Sequence, residues 1–386
     1  MPETITARHL LTDIGSVEFP VLTLADDGTI ADIGSDPREL ADEQGTLTAA
    51  FFDIHTHGAK NHDVMSASPA ELNEMQRFLA TRGVAQYLPT TVTASIDATL
   101  RTLAALADAI EAEPRGLEAR PLGIHLEGPF LSHAKRGVHP ADQLQPPSID
   151  LFDRFQQAAR GHIRLLTIAP ELPGALDLIA HVTAQDVRAS LGHTDALAAD
   201  ARAAIVAGAR SATHTFNAMR ALDHREPSVL AVALDDDHLY AELICDGIHV
   251  APELVRLWLK AKGRERAILV TDAMSAAGMP DGDYKLGQLD VSVANGRAFL
   301  AGDLDQGKYT LAGSVLTMDR AVANIQSFTG VGLAEATRLA SHNPVAMLGQ
   351  PELTRIAPGS AANLNRFDAN GRLLATYIRG QRISAA

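Results

Sequence analysis

Eight short strand-like runs, most of them apolar, recur between residues 51 and 270, at 51–55, 84–89, 122–126, 163–168, 187–191, 210–213, 239–244 and 267–270, with helical stretches between them. A repeat of strand and helix builds parallel pairs, because each helix carries the chain back to begin the next strand in the same direction. The helices carry their own boundaries. Ser68-Pro69-Ala70-Glu71 is a capping box with proline at the first helical position, and Gly83, Gly161, Gly208 and Gly263 stand where left-handed residues end helices. Eight such units in about 220 residues predict an α/β fold, a closed (β/α)8 TIM-like barrel. An open doubly wound sheet shares the local signals and is set aside on strand number.

The rest of the chain reads differently. Residues 17–24 and 29–33 are β-like and flank Asp26-Asp27-Gly28, whose Asp-Gly step supplies the positive φ of a tight hairpin. Helical patterning returns over 314–329 and 333–341, and β-like sequence over 363–367 and 373–378. The expectation is a small β-sandwich domain formed from both termini, 1–50 with 345–386, beside a catalytic barrel over 51–344.

Cys245 is the one cysteine, so no internal disulfide forms and the chain suits a reducing compartment, read as the cytoplasm. Met1 to Thr4 hold no basic stretch ahead of an apolar run, and no stretch of about 18 apolar residues occurs, so neither export nor a membrane span is expected. With 47 acidic against 33 basic residues the net charge is -14. That disfavours nucleic acid and anionic membrane as partners, since binding arrays of phosphate relies on Lys and Arg. A small anionic substrate stays open.

A barrel of this kind places its chemistry at the C-terminal ends of the strands. His55-Thr56-His57 ends the first run, Glu127 follows the third, His193 the fifth, His214 the sixth and Asp272 the eighth. Taken alone, each has a plainer role. A His-x-His pair arises by chance in a chain with 15 histidines, a strand-end histidine is commonly a hydrogen-bonded core residue, and Asp272 could cap the next turn. Glu127 is harder to explain, because a carboxylate after an apolar run is costly to bury unpaired. Together, Glu127, His193 and His214 make a three-ligand set that leaves a position open, the arrangement of a catalytic zinc site. His55 and His57, two apart on a strand, face the same way and could share a metal. A metal lowers the pKa of its water toward ~7 while a carboxylate such as Asp272 takes the proton and returns it to a leaving group. The reaction class is metal-assisted hydrolysis of an amide or related C–N bond.

Phe52-Asp53-Ile54-His55-Thr56-His57-Gly58, His125-Leu126-Glu127-Gly128-Pro129-Phe130, Leu191-Gly192-His193-Thr194, Thr213-His214-Thr215-Phe216-Asn217-Ala218-Met219, Asp246-Gly247-Ile248-His249 and Thr271-Asp272-Ala273-Met274 resemble the N-acetylglucosamine-6-phosphate deacetylases, a branch of the amidohydrolase superfamily. The resemblance implies the metal-dependent amidohydrolase type of barrel. Glu127, His193 and His214 would hold the one divalent ion expected, Zn2+ ahead of Fe2+ or others, and the intact His55 and His57 leave room for a second. Asp272 would be the general base and acid, and His139 would stand by the scissile carbonyl and stabilise its oxyanion. Val138, Asn217, Ala218, Arg225, Asp246, His249 and the segment Leu311, Ala312 and Gly313 would bind or line the substrate, with Arg225 suited to phosphate through its planar fork of donors. The implied partner is a small phosphorylated amino sugar. The implied assembly is a homodimer, in which a phosphate-binding arginine can come from the other subunit. Removal of acetate from N-acetylglucosamine 6-phosphate is the implied reaction. Alternatives are another N-acyl amino sugar phosphate such as N-acetylgalactosamine 6-phosphate, a cyclic amide or nucleobase, and a non-catalytic scaffold homologue.

Overall fold

The computed structural model describes residues 3–39, 45–113, 116–304 and 306–386, so Met1 and Pro2 of the N-terminal reading lie outside them. All eight expected strands form, parallel and side by side: Phe51–Thr56, Val84–Thr91, Ile124–Glu127, Ile163–Ile168, Arg188–Leu191, Ser211–Ala212, Tyr240–Ile244 and Ala267–Val270. The eighth meets the first through the Asp272 N–H, which donates to His55 O at 2.8 Å, and through a parallel bridge between Thr56 and Ala273. The sheet thus closes into a nearly complete (β/α)8 barrel.

The third strand departs from the expected 122–126. Arg120–Pro121 pairs with Gln86 and Tyr87, Ile124–Glu127 pairs with Thr90 and Thr91, and the ladder is interrupted at Leu122 and Gly123. The helices outside the barrel bury one face each. Helix Pro69–Thr81 has the capping box, with the Ser68 N–H donating to Glu71 at 2.7 Å. Its Leu72, Met75 and Leu79 enter the core shared with the strands, as does Trp258 of helix Pro252–Lys262. No helix among the described residues is long and apolar enough to cross a membrane.

Both termini build the small β domain. Its larger sheet runs Gln381–Ser384, Leu373–Ile378, Leu364–Phe367, Thr46–Ala49, His9–Leu11, Ser16–Glu18, three C-terminal strands against three N-terminal ones. A second sheet of Thr4–Thr6, Pro20–Leu24 and Ile30–Ser35 shares with it a core of Ile5, Leu10, Leu22, Ile30, Leu47 and Leu364. The expected run 17–24 is split at Phe19, whose φ of 49° turns a corner that passes the chain from one sheet to the other. The Asp27-Gly28 hairpin forms with Gly28 at φ 77°.

Two further differences bear on the site. Residues 314–317 are not helical: the Ser314 hydroxyl donates to Thr271 O and its N–H to Asp272 O, which ties the segment to the end of the eighth strand. Helix Met318–Thr329 starts after them, and helix His342–Leu348 spans the expected boundary, with Val345 and Met347 in the barrel core. Between the eighth strand and that first helix lies an unforeseen antiparallel meander, Gly282–Leu286, Leu289–Ala294 and Arg297–Leu300. A signal for it was present. Asn295-Gly296 has positive φ at both residues, 51° and 70°, as a type I′ hairpin turn requires. Leu286, Val291 and Ala298 of the meander pack on Met274, Ala276 and Ala312, which sets it over the C-terminal mouth of the barrel.

Candidate active site

His193, His214 and Asp272 each follow directly on the end of a barrel strand or its short extension, and each has a left-handed backbone, with φ of 47°, 28° and 48°. Non-glycine residues are strained there. The turn breaks the alternation of the strand and lets the three side chains converge with Glu127 at the barrel mouth. Gly192 makes the approach possible, since a Cβ on it would come within 2.7 Å of Thr213 Cβ and 2.9 Å of Thr167 Cγ2.

Two donor sets share Glu127. In the first, Glu127 Oε1 lies 3.3 Å from His193 Nε2 and 3.1 Å from His214 Nε2, and the two nitrogens are 3.1 Å apart. Donors ~2.0–2.1 Å from a tetrahedral ion stand ~3.3–3.4 Å from one another, so the spacing fits a metal. His193 Nδ1 donates to Lys135 O at 2.9 Å, which leaves its Nε2 as a lone pair facing another ring nitrogen. In the second set, His55 Nε2 and His57 Nε2 are 3.3 Å apart, and Asp272 Oδ1 is 3.6 and 3.2 Å from them. Glu127 Oε2 is 3.2 Å from His57 Nε2. All six side chains are buried, a concentration of carboxylate and imidazole that cations would satisfy.

Charge sets the protonation states. Burial opposes ionisation of Asp272, but the charge of His55 and the hydrogen bond from His57 outweigh it and hold the carboxyl at about 2. Burial opposes ionisation of Glu127 as well, but the charge of His55 and the hydrogen bond from His139 outweigh it and hold the carboxyl well below the usual range. Burial lowers His139 to about 4 and keeps it neutral. The Thr93 N–H donates to His139 Nδ1 at 3.3 Å, so the His139 proton sits on Nε2, 3.6 Å from Glu127 Oε2.

These groups border a cavity of about 340 Å³. Of the expected residues, Val138, His139, Asn217, Ala218, His249, Leu311 and Gly313 line it beside His57, Glu127, His193, His214 and Asp272. His55 lies fully buried beneath. Asp246 stands behind His249 and accepts its Nδ1–H at 2.7 Å. Ala312 is buried in the core of the meander instead of lining the cavity. Arg225 is not brought to the cavity: it is exposed, with its N–H bonded to Asp223 Oδ1 at 2.7 Å. Lys135, Leu286 and Thr310 line the cavity unforeseen, Lys135 in the same segment as His139, Leu286 in the first strand of the meander and Thr310 after its last. Asp53 and Glu242 were also missed. Asp53 shares the strand face of His55, accepts the Thr271 hydroxyl at 2.6 Å, and is pushed up to about 6 by burial.

The profile described as the Amidohydrolase family matches residues 46–383. The chain is 36% identical to the N-acetylgalactosamine-6-phosphate deacetylase of Escherichia coli O157:H7 over 100% of both chains. It is 36% identical to the N-acetylglucosamine-6-phosphate deacetylase of Bacillus subtilis (strain 168), over 92% of this chain and 90% of the relative. Among solved structures, a mutant N-acetyl-D-glucosamine-6-phosphate deacetylase from Mycobacterium smegmatis in complex with N-acetyl-D-glucosamine-6-phosphate superposes with a TM-score of 0.90 at 35% identity, over 99% of each chain. The Thermotoga maritima N-acetylglucosamine-6-phosphate deacetylase superposes with a TM-score of 0.89 at 30% identity, over 100% of each chain.

Proposed function

The chain belongs to the amidohydrolase family, and from that premise we propose that it is a metal-dependent deacetylase releasing acetate from N-acetyl-D-glucosamine 6-phosphate to give D-glucosamine 6-phosphate. The observation that carries the reading is the spacing of Glu127 Oε1, His193 Nε2 and His214 Nε2, with an ionised Asp272 and a neutral His139 at the same cavity. Those three ligands would hold a divalent ion, Zn2+ in our reading, and His55 and His57 with Glu127 between the sets would hold a second. The ion supplies Lewis acidity that makes water nucleophilic at neutral pH and polarises a carbonyl.

The chain's own groups do the rest. Asp272, ionised, accepts a proton from the attacking water as the C–O bond forms and then passes it to the departing amine as the amide C–N bond breaks. His139 Nε2–H donates to the acetyl oxygen as negative charge grows on it. Asn217, Ala218 and His249 border the part of the cavity assigned to the sugar phosphate, and the Asp246 carboxylate fixes the His249 ring. The exposed position of Arg225 suits a homodimer in which it reaches the phosphate held by the partner. The one cysteine, Cys245, is buried and free, which suits a reducing compartment, and we place the enzyme in the cytoplasm.

Likeness over the whole chain to an N-acetylgalactosamine-6-phosphate deacetylase supports a second reading, the C4 epimer as substrate. Acetate release from both phosphorylated epimers and from unphosphorylated N-acetylglucosamine tests all of this. Turnover of the glucosamine derivative is expected, with the larger kcat/KM of the two epimers, and with kcat about 100- to 10,000-fold lower in Asp272→Asn. No release from metal-loaded protein would overturn the proposal. Equal rates with and without the phosphate would remove the role given to Arg225 and His249.

A further inference from the structure

Glu242 lies on the seventh barrel strand, Tyr240–Ile244, with no solvent exposure. Its Oε1 accepts the hydroxyls of Ser190 at 3.3 Å and Ser211 at 3.1 Å, and its Oε2 accepts the His214 N–H at 3.4 Å. Among the described residues no Lys or Arg pairs with it. The ionisable group that faces it is His55, whose Nδ1 lies 3.6 Å from Oε2 and has no hydrogen-bond partner of its own. A buried carboxylate neutralised only by hydroxyls and an amide is costly, and so is a buried ring N–H without an acceptor. Each group is placed to satisfy the other.

The opposite edge of the same ring faces the second donor set. His55 Nε2 is 3.3 Å from His57 Nε2 and 3.6 Å from Asp272 Oδ1. His125 packs edge-on against the His55 ring, 4.6 Å between centroids, and is held by the hydroxyls of Thr90 and Thr167. From Thr167 hydroxyl contacts run through Thr213 and Ser190 back to Glu242, a closed polar belt beneath the site.

We infer that Glu242 is a positioning residue: it holds His55 in the tautomer protonated at Nδ1, so that the Nε2 lone pair is presented to a divalent ion in the His55, His57 and Asp272 set. This rests on the reading of that set as a metal site. Glu242→Gln keeps an acceptor oxygen for the Ser190 and Ser211 hydroxyls and puts an amide NH2 where Oε2 faces the His214 N–H and His55 Nδ1, so it removes the acceptor and the charge that hold the proton on Nδ1.

The test is metal content. Unmodified protein and Glu242→Gln are loaded with Zn2+, dialysed against a competing chelator, and measured for ions per chain by plasma mass spectrometry. Two ions are expected in the unmodified protein, and an affinity for the second about 10- to 100-fold weaker in Glu242→Gln. One ion in the unmodified protein would overturn the reading of the second set. Two ions held equally tightly by both proteins would overturn the role of Glu242. In a His55→Ala background, Glu242→Gln is expected to remove no further metal, and an additional loss there would show that it acts otherwise than through His55. A measurement without any change at Glu242 covers the case of a variant that does not fold. Two-dimensional 15N–1H spectra of the zinc-loaded protein, with the His55 signal identified by its loss in His55→Ala, should show that ring protonated at Nδ1. A proton on Nε2 would overturn the inference.

Discussion

For His139, the proposed oxyanion donor, the property that matters is the location of one proton. The Thr93 N–H occupies Nδ1 and burial keeps the ring neutral, so Nε2 is a donor at neutral pH without any titration. His139→Ala removes that donor, and kcat for acetate release should fall about 100- to 1,000-fold. His139→Gln, which retains an N–H, should recover part of the loss. Cys245 makes the opposite case, a chemically capable group kept inert. It is fully buried, and burial followed by the neighbouring Asp246 charge pushes its thiol far above the usual range. An aromatic disulfide reagent at pH 8 should release no thiolate from the native protein and one equivalent per chain from protein unfolded in guanidinium.

Stability and chemistry separate at the scale of the element. The capping box of helix Pro69–Thr81 lies on the outside of the barrel, away from the cavity. Ser68→Ala should therefore cost about 1 kcal/mol in denaturant unfolding while leaving kcat and KM unchanged. The same division decides what the sequence could disclose. Strands and helix stops were legible because hydrophobic period and glycine placement are local properties, and the strand-end positions of Glu127, His193, His214 and Asp272 followed from them. What could not be read was the left-handed backbone at His193, His214 and Asp272, since it is imposed by neighbours such as Thr213 and Thr167 packed around Gly192. The meander at Gly282–Leu286 and beyond was missed for another reason. Its Asn295-Gly296 turn was in plain view, but attention to a repeating barrel unit leaves no place for an antiparallel insertion. Glu242 and Asp53 were invisible as site residues because only a closed barrel brings the seventh strand under the first and the first beside Thr271.

The molecule as a whole is tied by its ends. Leu364–Phe367 lies between Thr46–Ala49 and Leu373–Ile378 in the larger sheet of the small domain, and the Asn365 amide donates to Gly83 O at 2.9 Å, against the barrel. Removal of residues 364–386 should strip three strands from that sheet and expose Leu47 and the apolar core around it. The shortened chain is expected to express as insoluble aggregate, and recovery as a soluble monomer with a sharp thermal transition would contradict this account. The same interleaving sets a schedule for biosynthesis. Thr46–Ala49 leaves the ribosome about three hundred residues before Leu364–Phe367, which at ~5–20 residues per second is a wait of roughly 15–60 s. Throughout that interval a β edge stands open while the barrel assembles behind it. A nascent chain of this design depends on being shielded until translation ends, and its yield in a cell is governed by chaperone supply and elongation rate as well as by the stability of the finished fold.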